Sequence, residues 1–227
     1  MRNRLLVFLP VFIAFLGCSK PAGKSTDMQT ASTTASTEAV SQTCPEYFYY
    51  YNQEKIPMQV NPAVLLVGFT EGQTPENQRK LLSRFTEFAE LGSEQRSAAG
   101  AFTIVKLKPA TTCPQALAMA KKLQQMPEVT FANPTFKSPP TLGNTYAWVG
   151  VTSEFIVTLK RREDLPTFEN AIAQTKTKIL DPLGETTFLV QATKTAQGNT
   201  LEMANYFHEQ PYVQNSEPDF FLASPQN

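Results

Sequence analysis

The chain has 227 residues and a formal net charge of zero, with 20 Lys and Arg residues against 20 Asp and Glu. Its basic residues form no stripe of the kind that nucleic-acid binders carry, so the composition argues against nucleic acid as a partner. Without the N-terminal leader and tether described next, about 180 residues remain, enough for one ordinary domain or two small ones.

The N-terminus is typical of an export signal. Arg2 and Arg4 precede an apolar run over residues 5–16, which ends at Gly17 and Cys18. A positive start followed by about a dozen apolar residues is the layout of a secretory signal, and the run is short for a membrane span. An ordinary signal peptide with an incidental cysteine is one interpretation.

The Gly17–Cys18 pair also resembles the lipobox of bacterial lipoproteins, in which the cysteine is acylated and becomes the first residue. This resemblance implies a signal over residues 1–18, a palmitate-bearing anchor at Cys18 and a chain that works outside the cytoplasm. Ser19 follows the cysteine where an Asp would favour retention at the inner membrane. The expected location is therefore the outer membrane of a Gram-negative bacterium, with membrane contact through the lipid anchor only.

Residues 19–43 are rich in Ser, Thr and Ala and contain almost no large apolar residue. Such a segment buries too little surface to offset its chain entropy, which predicts a disordered tether. Two cysteines remain after it, Cys44 and Cys113. An even pair in an oxidising compartment can form a disulfide, and two free thiols are the alternative.

An aromatic segment opens the folded part. Residues 47–51 read Tyr-Phe-Tyr-Tyr-Tyr, and a polar turn and residues 55–60 follow. This pattern predicts a β-hairpin. The hairpin either extends the first sheet or covers its edge, or it is an aromatic patch for a partner or glycan; the frequency of tyrosine in strands favours the first interpretation.

The remaining chain contains an internal repeat. Residues 125–136 match residues 209–220 at constant spacing, and three upstream blocks match in the same order. Each copy predicts β-α-β-β-α-β, the ferredoxin-like split unit. The predicted elements, first copy then second, are strands over 64–69, 88–91, 102–107 and 129–132, and over 155–159, 178–180, 187–192 and 213–215.

Helix starts support this order. Thr74 precedes Pro75, and Thr112 or Cys113 precedes Pro114, both typical of a capped first turn. Asn199 with Glu202 three residues later forms a capping-box pattern. The predicted fold class is therefore α+β, with two tandem ferredoxin-like modules over residues 44–137 and 150–222 and an N-terminal aromatic hairpin in the first.

No catalytic, cofactor or metal site is predicted. His208 is the one histidine, so a Ser-His-Asp arrangement could form only around it, and no Gly-x-Ser-x-Gly elbow is present. Glu202 and His208 are six residues apart, which does not match helical ligand spacing. An enzyme is therefore not expected.

The segment Pro211-Tyr212-Val213 through Glu217-Pro218-Asp219-Phe220 resembles the end of propeptides of subtilisin-like serine proteases. Residues 47–60 and Asn61-Pro62 resemble the N-terminal part of such proteases of the extracytoplasmic Bacteroidetes type. The resemblance covers roughly residues 47–221 and is weaker in the first copy, where Asn133 replaces the acidic residue. In that family the propeptide is a ferredoxin-like inhibitor and folding chaperone. The catalytic domain that would follow is not within these 227 residues.

The resemblance implies a function and a partner. The expected partner is a subtilisin-like protease, bound through a cleft-binding tail formed by Phe220, Phe221, Leu222, Ala223 and Ser224. The alternatives are a non-catalytic structural or interaction lipoprotein that reuses the fold, or the detached N-terminal part of a secreted protease.

Overall fold

The computed structural model describes residues 43–224. The predicted signal over residues 1–18, the lipidation site Cys18 and the tether up to residue 42 lie outside the described residues. No helix among residues 43–224 is long and apolar enough to cross a membrane.

The predicted N-terminal hairpin is present. Strand β1 (Tyr47–Tyr51) pairs antiparallel with β2 (Glu54–Met58) in a two-stranded sheet of its own. The two turn residues, Asn52 and Gln53, have φ angles of 48° and 69°. Two consecutive left-handed residues are what a tight two-residue hairpin turn requires.

The first module has the predicted ferredoxin-like order, with elements β3 (Val60–Phe69), α1 (Pro75–Leu82), β4 (Phe88–Ser97), β5 (Gly100–Leu107), α2 (Cys113–Gln125) and β6 (Val129–Phe136). Its strands lie in the order β4-β5-β3-β6. Alternate residues of β3 face opposite ways, as strand geometry requires. Leu65 and Val67 pack under the helices, whereas Leu66 lies in a separate apolar cluster on the other face.

The second module repeats this architecture with β7 (Trp148–Leu159), α3 (Leu165–Thr175), β8 (Lys178–Pro182), β9 (Thr187–Gln191), α4 (Thr200–His208) and β10 (Val213–Ala223). Strand β7 lies between β9 and β10, as β3 lies between β5 and β6. Both modules are thus ferredoxin-like, and the predicted fold class is confirmed.

The predicted helix starts are confirmed as well. The Thr74 hydroxyl accepts from the Asn77 N–H at 3.3 Å, and Thr112 is the N-cap of α2. At α4, the Asn199 side chain accepts from the Glu202 N–H at 3.0 Å and the Glu202 carboxylate accepts from the Asn199 N–H at 2.8 Å. The starts of α1 and α4 therefore have side-chain partners for N–H groups that the helix turns cannot satisfy.

Several strands are longer than predicted. Strand β7 begins at Trp148 rather than at residue 155, in the link that lies between the predicted modules 44–137 and 150–222, and β10 runs to Ala223 rather than to residue 215. The extra residues of β7 and β10 pair with one another, from Phe220 opposite Val151 to Ala223 opposite Trp148. This ribbon extends the second module and reaches the first.

Candidate functional site

The two modules share one sheet through the ends of two strands. Thr135 and Phe136 of β6 pair with Gly150 and Val149 of β7, which joins the module sheets into one of eight strands. A Cβ at position 150 would overlap the side chain of Leu66. The close approach of β7 to the first module therefore requires glycine at this point.

An apolar layer lies at this junction. Leu66, Phe102 and Phe131 of the first module form a buried cluster with Trp148 and Phe221 of the second packed against it. The ring centroid of Phe221 lies 5.6 Å from that of Phe102 and 5.7 Å from that of Trp148. The chain's one tryptophan, in what the sequence predicted as a link, is thus part of the junction.

The predicted cleft-binding tail is built into this junction. Phe220, Phe221, Leu222 and Ala223 belong to β10 and pair with β7, and Ser224 follows directly. Phe220 packs edge-on against Tyr49 of the hairpin at 5.1 Å, whereas Phe221 points into the opposite apolar layer. The segment predicted to enter a protease cleft is therefore a paired strand, and one strand edge and both faces of it already have partners within the chain.

Buried polar groups also cross the junction. The Asn133 amide of β6 donates to the carbonyls of Val151 and Thr152 at 3.1 and 2.8 Å, and to the Thr200 hydroxyl at 3.3 Å. Asn133 is 6% exposed. Hydrogen bonds of this kind are costly to break, because the buried carbonyls would lose their partners without gaining water.

A carboxylate pair lies where the β4–β5 turn meets the second module. Glu154 of β7 is 1% exposed and accepts a hydrogen bond from the Ala99 N–H. Burial raises the pKa of Asp219 on β10 above its usual range, and the neighbouring Glu154 carboxyl raises it further. The turn of one module thus contacts the buried carboxylate of Glu154, which has the partly exposed Asp219 as its neighbour in the other module.

Lys194 makes a third polar link. Its ammonium group, in the loop before α4, donates to the carbonyls of Met126 and Val129 beyond the end of α2, the latter at 2.8 Å. A cation near carbonyls that follow a helix end is favourable. Nothing in the sequence pattern singled out Lys194 or Glu154, because both act across the module boundary.

Next to the junction lies a groove of about 730 Å³ that both modules line. Its lining residues come from the open face of the first sheet and from the ribbon of β7 and β10: Val64, Gly92, Ser93, Gln95, Ile104, Lys106, Ala147, Trp148, Phe221, Leu222, Ala223 and Ser224. Leu222 is 36% exposed, one of three large apolar side chains at or above that level among residues 43–224. Lys106 is paired with Glu90 at 2.6 Å, so its charge is already neutralised.

The hairpin covers the other side of the junction. Tyr49 and Met58 pack with Phe136, Val149 and Leu201, so the hairpin contacts both modules. Within residues 43–224, the hairpin strands pair with each other and with no strand of the first sheet. Its packing therefore agrees with a hairpin that covers the sheet rather than with an open aromatic patch.

The predicted cysteine pair is bridged. Cys44 and Cys113 form a disulfide with their Cα atoms 5.7 Å apart, and it ties the start of the hairpin to the start of α2. The alternative of two free thiols is therefore not what the structure shows.

The one histidine is held by its neighbours. The His208 ring stacks on Tyr50 with centroids 4.0 Å apart, and its Nδ1 accepts from the Ser216 N–H at 3.4 Å. Burial raises the pKa of Tyr50 to about 12, and the hydrogen bond from its hydroxyl to Glu209 adds to this. Among residues 43–224, no group of three or more His, Cys, Asp or Glu side chains is placed to hold a metal ion.

No protein-family model and no curated protein matches this chain. One matching solved structure is that of the N-terminal three RNA-binding domains of the yeast splicing factor Prp24. It is 17% identical, covers 80% of this chain and 75% of that one, and has a TM-score of 0.28. A likeness at this level carries no argument about what the chain binds.

The predicted protease partner is corrected by the structure. The sequence predicted a subtilisin-like protease as partner and no nucleic acid. The tail that was to enter a protease cleft is a paired strand of the chain's own sheet. The protease partner is therefore set aside.

Proposed function

We propose that this chain is a lipid-anchored, non-catalytic binding protein of the bacterial cell envelope. The observation that carries the proposal is the groove at the module junction, which both modules line and which holds the exposed Leu222. Ligand sites are commonly concave, largely apolar and placed at domain boundaries. The groove is concave and lies at the module boundary, and its partner in this proposal is another protein of the envelope.

Three further observations support the proposal. The export signal with Gly17–Cys18 directs the chain out of the cytoplasm and provides an anchor. The disulfide between Cys44 and Cys113 belongs to the oxidising compartments where such bonds persist. Asn133, Glu154 and Lys194 make hydrogen bonds between the modules and favour their acting as one platform.

The anchor is tested by metabolic labelling with a palmitate analogue. We expect the wild-type chain to carry label and to sediment with membranes, and Cys18→Ala to lose both. Ser19→Ala is the control and should keep both. Equal labelling of wild type and Cys18→Ala would contradict the anchor.

The binding surface is tested by photocrosslinking in intact cells. A photoreactive residue at position 222 should give a discrete crosslinked protein. The same residue at position 183, where Leu183 is 51% exposed in the β8–β9 turn, should not. Crosslinking at neither position, or the same crosslinks at both, would contradict a binding role for the groove.

A further inference from the structure

We infer that the end of β10, Phe220–Ala223, is an acceptor edge to which an uncharged, extended segment of a partner protein adds as an antiparallel strand. The inference rests on the proposed binding function and names how the partner binds. Three observations support it: the chemistry of the sheet edges, the internal repeat, and the groove beside this edge.

The first observation concerns the edges of the eight-stranded sheet, which are β4, β8 and β10 in the described chain. Proteins protect their edge strands with charges, prolines and bulges, because unpaired backbone groups recruit other chains. Strand β4 has Glu90, Glu94 and Arg96 and two register shifts. Strand β8 has Lys178, Asp181 and Pro182 and one register shift within five residues.

The end of β10 lacks these devices. Its earlier part has Glu217, Pro218 and Asp219 with a register shift, but residues 220–223 read Phe-Phe-Leu-Ala and pair with β7 in continuous register. These four residues contain neither a charge nor a proline. An edge left without protection beside protected ones is suited to strand addition.

The second observation is that in the first module an antiparallel strand is already added at the matching edge. Residues 135–136 of β6 match residues 219–220 of β10 in the repeat. On β6 this edge is filled by the antiparallel strand β7, through Gly150 and Val149. On β10 the corresponding edge has no strand among residues 43–224.

The sequence of β7, which pairs with the β6 edge, indicates what kind of segment would pair with the β10 edge. The segment Trp148–Val151 reads Trp-Val-Gly-Val and is uncharged. A charged segment would lose hydration against Phe221 and Leu222 without finding an opposite charge, because Lys106 in the groove is held by Glu90. The partner segment is therefore apolar and uncharged.

The third observation is the groove itself. Added strands gain affinity from main-chain hydrogen bonds and specificity from pockets for alternate side chains. Leu222, Ala223 and Ser224 line the groove directly at the β10 end. One face of an added strand would place its side chains there, against Trp148 and Ile104.

The test uses the full-length lipoprotein in detergent and a fluorescent peptide with the sequence of residues 146–153 as the probe. We expect saturable binding by fluorescence anisotropy and none of a scrambled peptide. Leu222→Lys places a charge on the edge and should weaken binding by about tenfold or more. Leu183→Lys makes the same change at another exposed leucine and should bind as wild type does.

Two N-methylated peptides separate strand addition from simple burial in the groove. Each carries N-methyl groups on alternate residues, so that one set faces β10 and the other faces solvent. We expect one peptide to lose about tenfold or more in affinity and the other to bind normally. Equal binding of both peptides overturns strand addition and leaves the proposed binding function standing.

Light scattering distinguishes the occupant. The wild-type chain without peptide should be monomeric across the concentrations used for binding. Self-association that disappears in Leu222→Lys would overturn the assignment to a different protein, because a second copy would then occupy the edge. Failure of crosslinking at position 222 in cells would instead contradict the proposed function.

Discussion

The ends of β6 and β10 carry the same repeat motif in two different environments. In β6 the motif has Asn133 and Thr135, which are 6% and 0% exposed, and in β10 it has Glu217 and Asp219, which are partly exposed. The β6 end lies between β3 and β7, whereas the β10 end has one neighbouring strand. A position inside the sheet thus has neutral hydrogen-bonding residues, and the same position at the edge has acids, because burying an unpaired charge is costly.

This comparison also explains why the two copies of the repeat differ at Asn133 and Glu217. The departure at Asn133 marks the place where the first module accepts the second. The difference in residue type between Asn133 and the matching Glu217 therefore accompanies a difference in burial. The same comparison can be tested by changes to either module.

The largest expected effect on stability comes from the disulfide. The second module contains no cysteine and so has no equivalent bond. The disulfide spans 69 residues, and on the chain-entropy model its loss should reduce the free energy of unfolding by about 4 kcal/mol. Replacing both Cys44 and Cys113 with Ala should lower the melting temperature. Hydrogen exchange should show the loss of protection first in the hairpin, and loss confined to the second module would contradict this account.

The next largest effect on stability is expected when Asn133 is replaced by an acidic residue like the one at the matching position of the second copy. Asn133→Asp replaces an amide donor with a carboxylate that faces the carbonyls of Val151 and Thr152. We expect a loss of about 3 kcal/mol in the free energy of unfolding. The matched change at the edge, Glu217→Gln, should cost less than about 0.5 kcal/mol, and urea denaturation would compare the two.

A smaller loss is expected from Gly150→Ala. The added methyl overlaps the Leu66 side chain at the junction, so overpacking should cost about 2 kcal/mol. Gly184→Ala is the control, because a Cβ there meets no atom within 4 Å and the φ angle is not positive. Thermal melts in which both variants lose the same stability would contradict a tight junction at Gly150.

The smallest expected effect is a gain in stability, from the substitution Asp219→Asn. The raised pKa of Asp219 means that the folded chain binds this proton more tightly than the unfolded chain does. That contribution to stability is fully present below the usual aspartate pKa and is lost as pH rises through the raised one. Asp219→Asn should remove this pH dependence and raise the melting temperature at pH 7 by about 2 °C or less.

Melts across the acidic range check the sign of this effect. The difference between Asp219→Asn and wild type should widen as pH rises through the raised pKa and then level off. A variant that is less stable than wild type at neutral pH would show that the Asp219 carboxylate is favourable at the junction.

Local signals in the sequence were sufficient for the elements and for their order. The repeat, the Pro-opened helices at Pro75 and Pro114, and the capping pattern of Asn199 and Glu202 all depend on residues close together in the chain. Such patterns express the periods and the end requirements of helices and strands, so they can be recognised without knowing the fold. The even pair of cysteines likewise indicated the disulfide but not its geometry.

The site depended on contacts that no local pattern contains. The docking of β7 on β6, the burial of Glu154 under the β4–β5 turn and the groove beside Leu222 join residues from separate modules. An apolar run such as residues 220–223 has the same sequence pattern in a free tail and in a paired strand. Hydrophobicity indicates that the side chains will be buried, but it does not indicate which residues will cover them. The sequence by itself determined two ferredoxin-like units, and only the tertiary structure decided that β7 pairs with the β6 edge, because this pairing joins residues from separate modules.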